Sequence, residues 1–476
     1  MSFISKTKAY EKWLVESGVS ISEKVAITDF REVGQGRGMV AVEDIAKGVD
    51  LFTIPRTKLL NVKTCSLVVE RPECVEAVLA MDSWKSLIVV LAWEWKKGAG
   101  SAWSPYFDVL PLNDPVEYKS NQLMEWSESE LKMLAPSLVV ERIGRDTAEE
   151  MYDQVMEVIR ELNLKELESL TLKEYHTVAS VIMSYSFDVT ERENKEEEDE
   201  EEDDDEEEEG DHLKSMVPLA DTLNADTNLH NASLVDYPET LVMKSMKAIK
   251  KGEQVYNTYS DHPNAEILRR YGYVEANGST QDFGEIPLET IEKSFPAEQK
   301  DLVTRCLEVA KTTSLGEDDD EDVELVSEAY DCFATGEVIP ELVVLVQFLV
   351  VVTKINEQTP VMDDAGEISR ILKKCVQLIE SQRLTKGFAE KYTEILKLRL
   401  QEYPVEEKED PPVDITTRAG MATVVLRSER KSLETCANLD RVFDEYKFID
   451  DDKLLRSIMK KRSGSTDPQP TKRSKK

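Results

Sequence analysis

Few residues in this chain could do chemistry, and their spacing narrows the options. Gly34-Gln35-Gly36-Arg37-Gly38 places three glycines within one short run. Bare backbone of this kind can approach a ligand that a Cβ would hold off. A dinucleotide or phosphate loop needs such glycines between a strand and a helix N-terminus, so that amides and the helix dipole face the phosphate. Here β-type sequence follows instead. A tight turn and a loop hugging a different nucleoside-bearing ligand both stay open. Tyr259 in YNTYS and Tyr271 in RRYGY carry hydroxyls, although a lone tyrosine usually fills a core. His176, His212, His230 and His262 are scattered, and Asp221, Asp226 and Asp261 form no recognisable pair with a base. The six cysteines lie far apart without a CxxC, and no nucleophile-elbow motif occurs. These patterns point away from a structural metal, a disulfide framework and acyl-enzyme chemistry.

The elements that must position these residues are read from hydropathy. Residues 20 to 60 predict strands and turns, with GRGMVAVEDIAKGVDLFTIP giving two β-rich runs separated by Lys47-Gly48, a hairpin-like signal. Residues 62 to 190 predict a helical insertion, with apolar residues at three- and four-residue spacing. Strand and loop character returns from Met216, and the helix PNAEILRRYG closes the α+β unit near residue 280. A helical unit is expected over 285–450, including Leu288–Ala310 and Leu325–Phe333, with the apolar face of Glu341–Ile355 as bundle core.

Composition bounds the class. The chain has 476 residues, 41% of them hydrophobic, and a formal charge of −36, enough for about two to four domains. Seventeen acidic residues face only Arg192 and Lys195 between Glu191 and Asp211. Such a segment repels itself and carries nothing apolar to bury, so 191–211 predicts a disordered acidic loop. Glu317–Glu324 repeats the pattern on a smaller scale. A chain so acidic suits basic protein partners and lacks a broad face for nucleic acid. No secretion signal or membrane span is expected: the longest apolar stretch, Leu342–Val352, contains Gln347 and falls short of the roughly 20 residues a span needs. A monomeric, intracellular protein is the expectation. The tail 460–476 carries Lys460-Lys461-Arg462 and Lys472 to Lys476, similar to a bipartite nuclear import signal, which favours the nucleus with the cytoplasm as the alternative.

Taken together, GRGMVAVEDIAKGVDLFTIPR, SAWSPYFDVLP, VIMSYSF, MVPLADTLNADTNLHNA and YNTYS…NAEILRRYGYVE resemble, in order, SET-domain protein methyltransferases of the Rubisco large-subunit methyltransferase type. The resemblance is greatest to the fungal ribosomal lysine methyltransferase 4 group and SET-domain-containing protein 6. It implies a SET domain of small β-sheets over 20–280, interrupted by the helical insertion, then an all-α C-terminal substrate-binding domain. It also implies S-adenosyl-L-methionine as cofactor, held by the backbone of Gly36, Arg37, Gly38 and Met39, by Asn224, by the position of Ala225, and by Tyr271. Tyr259 matches the catalytic tyrosine, and Trp103 and Tyr185 match positions lining the target side chain's channel. Ala225 stands where the family's Asn-His pair has histidine. The implied reaction is monomethylation of a lysine in a large-subunit ribosomal protein, ribosomal protein 42 in the fungal group. Two alternatives are a protein-histidine methyltransferase of the same fold and a non-catalytic acidic chaperone for basic proteins.

Overall fold

The computed structural model describes residues 2–113, 120–191, 212–314, 324–361, 364–405 and 413–460. The acidic run from residue 192 to 211, most of Glu317–Glu324 and the tail from 461 on lie outside the described residues. The chain divides into two compact units. One comprises Met1–Met133, Val139–Thr280 and Val413–Val424; the other comprises Leu134–Leu138, Gln281–Pro412 and Val425–Lys476.

The first unit is built of small antiparallel sheets. Its strands are β1 (Ser20–Ile21), β2 (Val25–Asp29), β3 (Arg37–Ala41), β4 (Asp50–Pro55), β5 (Ser186–Thr190), β6 (His212–Met216), β7 (Ala232–Asp236), β8 (Thr240–Ser245) and β9 (Gln254–Val255). They form sheets ordered β1-β4-β8-β7, β2-β3-β9 and β5-β6. The two β-rich runs around Lys47-Gly48 are therefore not a hairpin. β3 belongs to the three-stranded sheet and β4 to the four-stranded one. The turn's backbone groups bond elsewhere: Val42 N–H donates to the Lys24 carbonyl, Ile45 N–H to Ile249 and Gly48 N–H to Ser245. Gly48 sits at φ +84°, a left-handed conformation that only glycine adopts cheaply. It turns the chain from one sheet to the next.

Helices fill the stretch between β4 and β5, chiefly Ser83–Lys96, Arg145–Glu161 and Leu172–Tyr185. The last is started by a capping box in which Thr171 and Glu174 satisfy each other's backbone amides. An N-terminal helix, Phe3–Glu16, was not read from the sequence. Its Phe3, Tyr10 and Leu14 are buried, and Tyr10 and Leu14 join Met39, Ile54 and Leu223 in one hydrophobic core.

The second unit is mainly helical, built around the buried helix Pro340–Gln358 with Ala365–Glu380 and Lys386–Glu402. It also holds two small two-stranded sheets, β10 (Phe283–Pro287) with β11 (Ala329–Phe333) and β12 (Arg383–Thr385) with β13 (Lys447–Ile449). The helix expected over Leu325–Phe333 is thus β11, where Tyr330 and Cys332 alternate inward. The helix expected over Leu288–Ala310 breaks into Leu288–Lys293 and Lys300–Lys311 because Pro296 cannot continue it. All six cysteines are buried thiols, and no described helix is long and apolar enough to cross a membrane.

Candidate active site

The site grows from two backbone features, a glycine strand and a strained turn. Gly36 precedes β3 at φ +66° with open space where a Cβ would stand, so its glycine answers a backbone need. Gly38 lies within β3 for a different reason. A Cβ there would meet Asn224 Nδ2 at 2.6 Å, Gln254 Nε2 at 2.8 Å and Phe30 Cδ2 at 2.9 Å. Two side-chain amides therefore converge on the bare strand. Asn224 Nδ2 donates to the Arg37 carbonyl at 3.2 Å, while β9 places Gln254 opposite Val40 and Val255 opposite Met39. Met39 is fully buried. The Arg37 guanidinium points to the N-terminal helix instead, donating to Thr7 Oγ1 at 2.9 Å and stacking 3.9 Å from the Phe3 ring. Only its backbone belongs to this cluster.

The second feature is the turn Ala220–Thr222, entered through Leu219 and left through Leu223 and Asn224. Asn257 N–H donates to the Asn224 carbonyl at 2.9 Å, and Ala225 bridges Asn257 in parallel. The chain from Asn257 to Tyr259 is thereby laid beside the turn. Tyr259 then donates its hydroxyl to the Leu223 carbonyl at 2.7 Å. Burial, followed by the neighbouring Tyr185, Asp221 and Tyr271, pushes its pKa far above the usual value near 10. Tyr259 is a fixed donor, not a base.

Ala225, Tyr259 and Tyr271 line one small cavity together with Tyr273 and His262. The Tyr259 and Tyr271 ring centroids are 4.9 Å apart, and Tyr273 stands edge-on to Tyr259 at 6.3 Å. Tyr271 is the last residue of helix Asn264–Tyr271, which Gly272 ends at φ +75°. Tyr185, closing helix Leu172–Tyr185, is pushed up to about 12, first by burial and then by Asp221. Trp103 does not line this cavity. It belongs to an aromatic cluster with Trp13 at 5.6 Å and Tyr106 at 6.3 Å. Tyr273, His262, Tyr106 and Asp221 were not singled out from the sequence as site residues. Tyr273 was within reach, two positions after Tyr271 in the same RRYGY segment. Met243 is core, whereas Met246 falls just past β8 and is exposed.

The residues around Gly38 fit a nucleoside-bearing ligand such as S-adenosylmethionine. Gln254 Nε2 is buried without a hydrogen-bond partner among the described residues, and an unsatisfied buried donor is costly unless something else accepts from it. Beside it run the Gly36–Met39 backbone and the Asn224 amide. Nearby, the half-buried Tyr259 with its fixed hydroxyl and the tyrosine rings packed around it suit an amine that must shed water. Among the described residues no group of histidines, cysteines and carboxylates could hold a metal ion.

Comparison with known proteins agrees with this chemistry. Residues 36–260 match the SET domain family. Ribosomal lysine N-methyltransferase 4 from Saccharomyces cerevisiae is 36% identical over 99% of this chain and 98% of its own length. N-lysine methyltransferase setd6 from Xenopus laevis is 32% identical over 55% of this chain and 56% of its own. Among solved structures, Rubisco LSMT bound to AdoMet superposes with a TM-score of 0.63 at 18% identity, covering 98% of this chain and 97% of that one. The SET domain of LSMT bound to lysine and AdoHcy gives 0.63 at 19% identity, with 98% of each chain covered.

Proposed function

Because this chain belongs to the SET-domain protein-lysine N-methyltransferases, we propose that it uses S-adenosylmethionine to monomethylate a lysine of a large-subunit ribosomal protein, and that it works in the nucleus. The observation that carries the reading is the convergence of Asn224 on Gly38 and of Tyr259 on Leu223, with Leu223 and Asn224 adjacent where the chain leaves the Ala220–Thr222 turn. The ribosomal target is supported by end-to-end similarity to a yeast enzyme named for it and by the −36 charge, which suits a basic partner. The nuclear setting is supported by the two basic clusters of the tail.

The cofactor supplies an activated methyl group on a sulfonium. The protein's part is to hold and align, because an in-line displacement needs no covalent enzyme intermediate. The Gly36–Met39 backbone, Asn224, Ala225 and Tyr271 would hold the cofactor. The incoming lysine must be neutral to attack, though its free pKa is about 10.4. An amine brought against the rings of Tyr259, Tyr271 and Tyr273 would be favoured in its neutral form by desolvation. Tyr259 stays protonated and fixed on the Leu223 carbonyl, so its oxygen keeps a lone pair to orient the amine. Proton removal falls to solvent.

Mass spectrometry of ribosomal proteins incubated with the purified protein and S-adenosylmethionine tests the target. One lysine of one large-subunit protein should gain a single methyl group. Modification of histidine, or of many proteins without preference, would contradict the proposal.

A further inference from the structure

Asp221 is a buried carboxylate to which the mechanism above gives no part. It is 7% exposed and lies in the turn entered through Leu219 at φ +79°, ψ −41°. A leucine holds that positive-φ conformation only where its surroundings enforce it. Two groups from outside the turn do so. The Tyr10 hydroxyl of the N-terminal helix accepts from Leu219 N–H at 2.6 Å. Tyr106, from helix Ser104–Phe107, donates its hydroxyl to Asp221 Oδ2. What leaves the turn is the site itself: the Leu223 carbonyl on the Tyr259 hydroxyl, then the Asn224 amide on β3. Tyr10, Tyr106 and Asp221 do not line the cavity that holds Tyr259. Whatever they do for the reaction passes through the turn.

We propose that Asp221 is a positioning residue: bound by Tyr106, its carboxylate keeps the Leu219–Asn224 turn in the form that presents the Leu223 carbonyl to Tyr259 and the Asn224 amide to the glycine strand. The inference rests on the functional reading of Tyr259 and Asn224 given above. The titratable groups facing Asp221 are Tyr10 from the N-terminal helix, Tyr106 from Ser104–Phe107, Tyr185 from Leu172–Tyr185, and Tyr259. Arg37 on β3 is a nearby cation, its charge bearing on Tyr10 and Tyr185. Burial pushes Asp221 up to about 7, with the hydroxyls of Tyr106 and Thr222 pulling the other way. Below that pH the carboxylate is neutralised and its charge-assisted bond from Tyr106 weakens. The turn loosens, and cofactor binding and turnover fall with it.

Asp221→Asn keeps an acceptor for Tyr106 but cannot titrate. The readouts are S-adenosylmethionine affinity by calorimetry and single-turnover methyl transfer, from about pH 6 to about pH 8.5. The parental protein should lose cofactor affinity as pH falls through about 7, beyond any loss seen in Asp221→Asn, which should stay nearly level. Tyr10→Phe leaves the carboxylate in place but removes the acceptor of Leu219 N–H. It should weaken cofactor binding about tenfold at every pH and keep the acid limb. Equal acid limbs in the parent and Asp221→Asn would overturn the proposal, as would parental affinity in Tyr10→Phe. A parental protein that binds no S-adenosylmethionine at any pH would overturn the functional reading as well.

Discussion

Tyr259 is placed to give a hydrogen bond and to keep its proton. Its hydroxyl is tied to the Leu223 carbonyl at 2.7 Å in surroundings that suppress ionisation. Removing only that oxygen, as in Tyr259→Phe, keeps the ring and its packing on Tyr271. Turnover should fall by at least about tenfold while S-adenosylmethionine affinity stays within about twofold, since the lost contact orients the amine rather than the cofactor. Single-turnover rates beside calorimetry check this, and parental turnover would remove Tyr259 from the mechanism. Asn224 and Ala225 form the complementary pair. Asn224→Ala deletes a bonded amide at the glycine strand, so cofactor affinity should drop about tenfold. Ala225→His, which restores the family's residue, should change it much less. At this scale the site was legible through its motifs, because YNTYS and LADTLNADT carry the residues that the fold brings together. What stayed hidden was support from afar. Nothing local ties Tyr10 to Leu219, 209 residues on, or Tyr106 to Asp221, 115 residues on.

Strands show why neighbouring glycines are not equivalent. Gly36 needs its left-handed φ, whereas Gly38 needs the room. Gly38→Ala forces Asn224, Gln254 and Phe30 apart, an overpacking that costs about 1–3 kcal/mol and displaces the Asn224 amide. Gly36→Ala pays only backbone strain, about 1–2 kcal/mol, with nothing to clash. Both should lower the melting temperature, but only Gly38→Ala should also weaken cofactor binding about tenfold or more, as calorimetry would show. Equal cofactor affinities in the two variants would contradict this division. Element type was readable from periodicity, but partnership was not. The runs flanking Lys47-Gly48 have hairpin chemistry yet pair in different sheets, since β3 lies between β2 and the distant β9 while β4 lies between β1 and the distant β8. Leu325–Phe333 misled differently. Only its last five residues are a strand, and their inward pair Tyr330 and Cys332 is too short a run to outweigh the helical spacing around it.

Across the whole molecule, charge matters in two ways. Glu429, in the second unit, is buried and pushed up to about 7 by desolvation, against hydrogen bonds from Ser137 and Tyr403. A carboxyl raised from 4.5 binds its proton more tightly folded than unfolded. Its stabilising contribution is therefore full below about pH 4.5 and lost as pH rises through about 7. Glu429→Gln should gain in melting temperature relative to the parent across that window and hold the gain above it. A pH-independent difference would show that Glu429 does not carry this cost. The fourteen consecutive carboxylates of Glu196–Glu209 add a long-range negative field. β5 and β6 pair with Thr190 opposite His212, so the chain leaves and re-enters at facing positions, and the residues remaining after deletion can close the hairpin. Deleting Glu196–Glu209 should lower kcat/KM for an intact basic protein at low salt, with a deficit that shrinks as salt shortens the Debye length below about 10 Å. A neutral peptide carrying the same lysine should be indifferent. An equal deficit on that peptide would point to a contact role instead.

Transfer of a labelled methyl group from S-adenosylmethionine to a basic protein substrate, followed by hydrolysis and identification of the labelled amino acid, tests the central claim most directly. Label should appear in monomethyl-lysine, dependent on this protein and reduced by at least about tenfold in Tyr259→Phe. Label in methylhistidine, or no transfer from a folded protein that binds the cofactor, would contradict it.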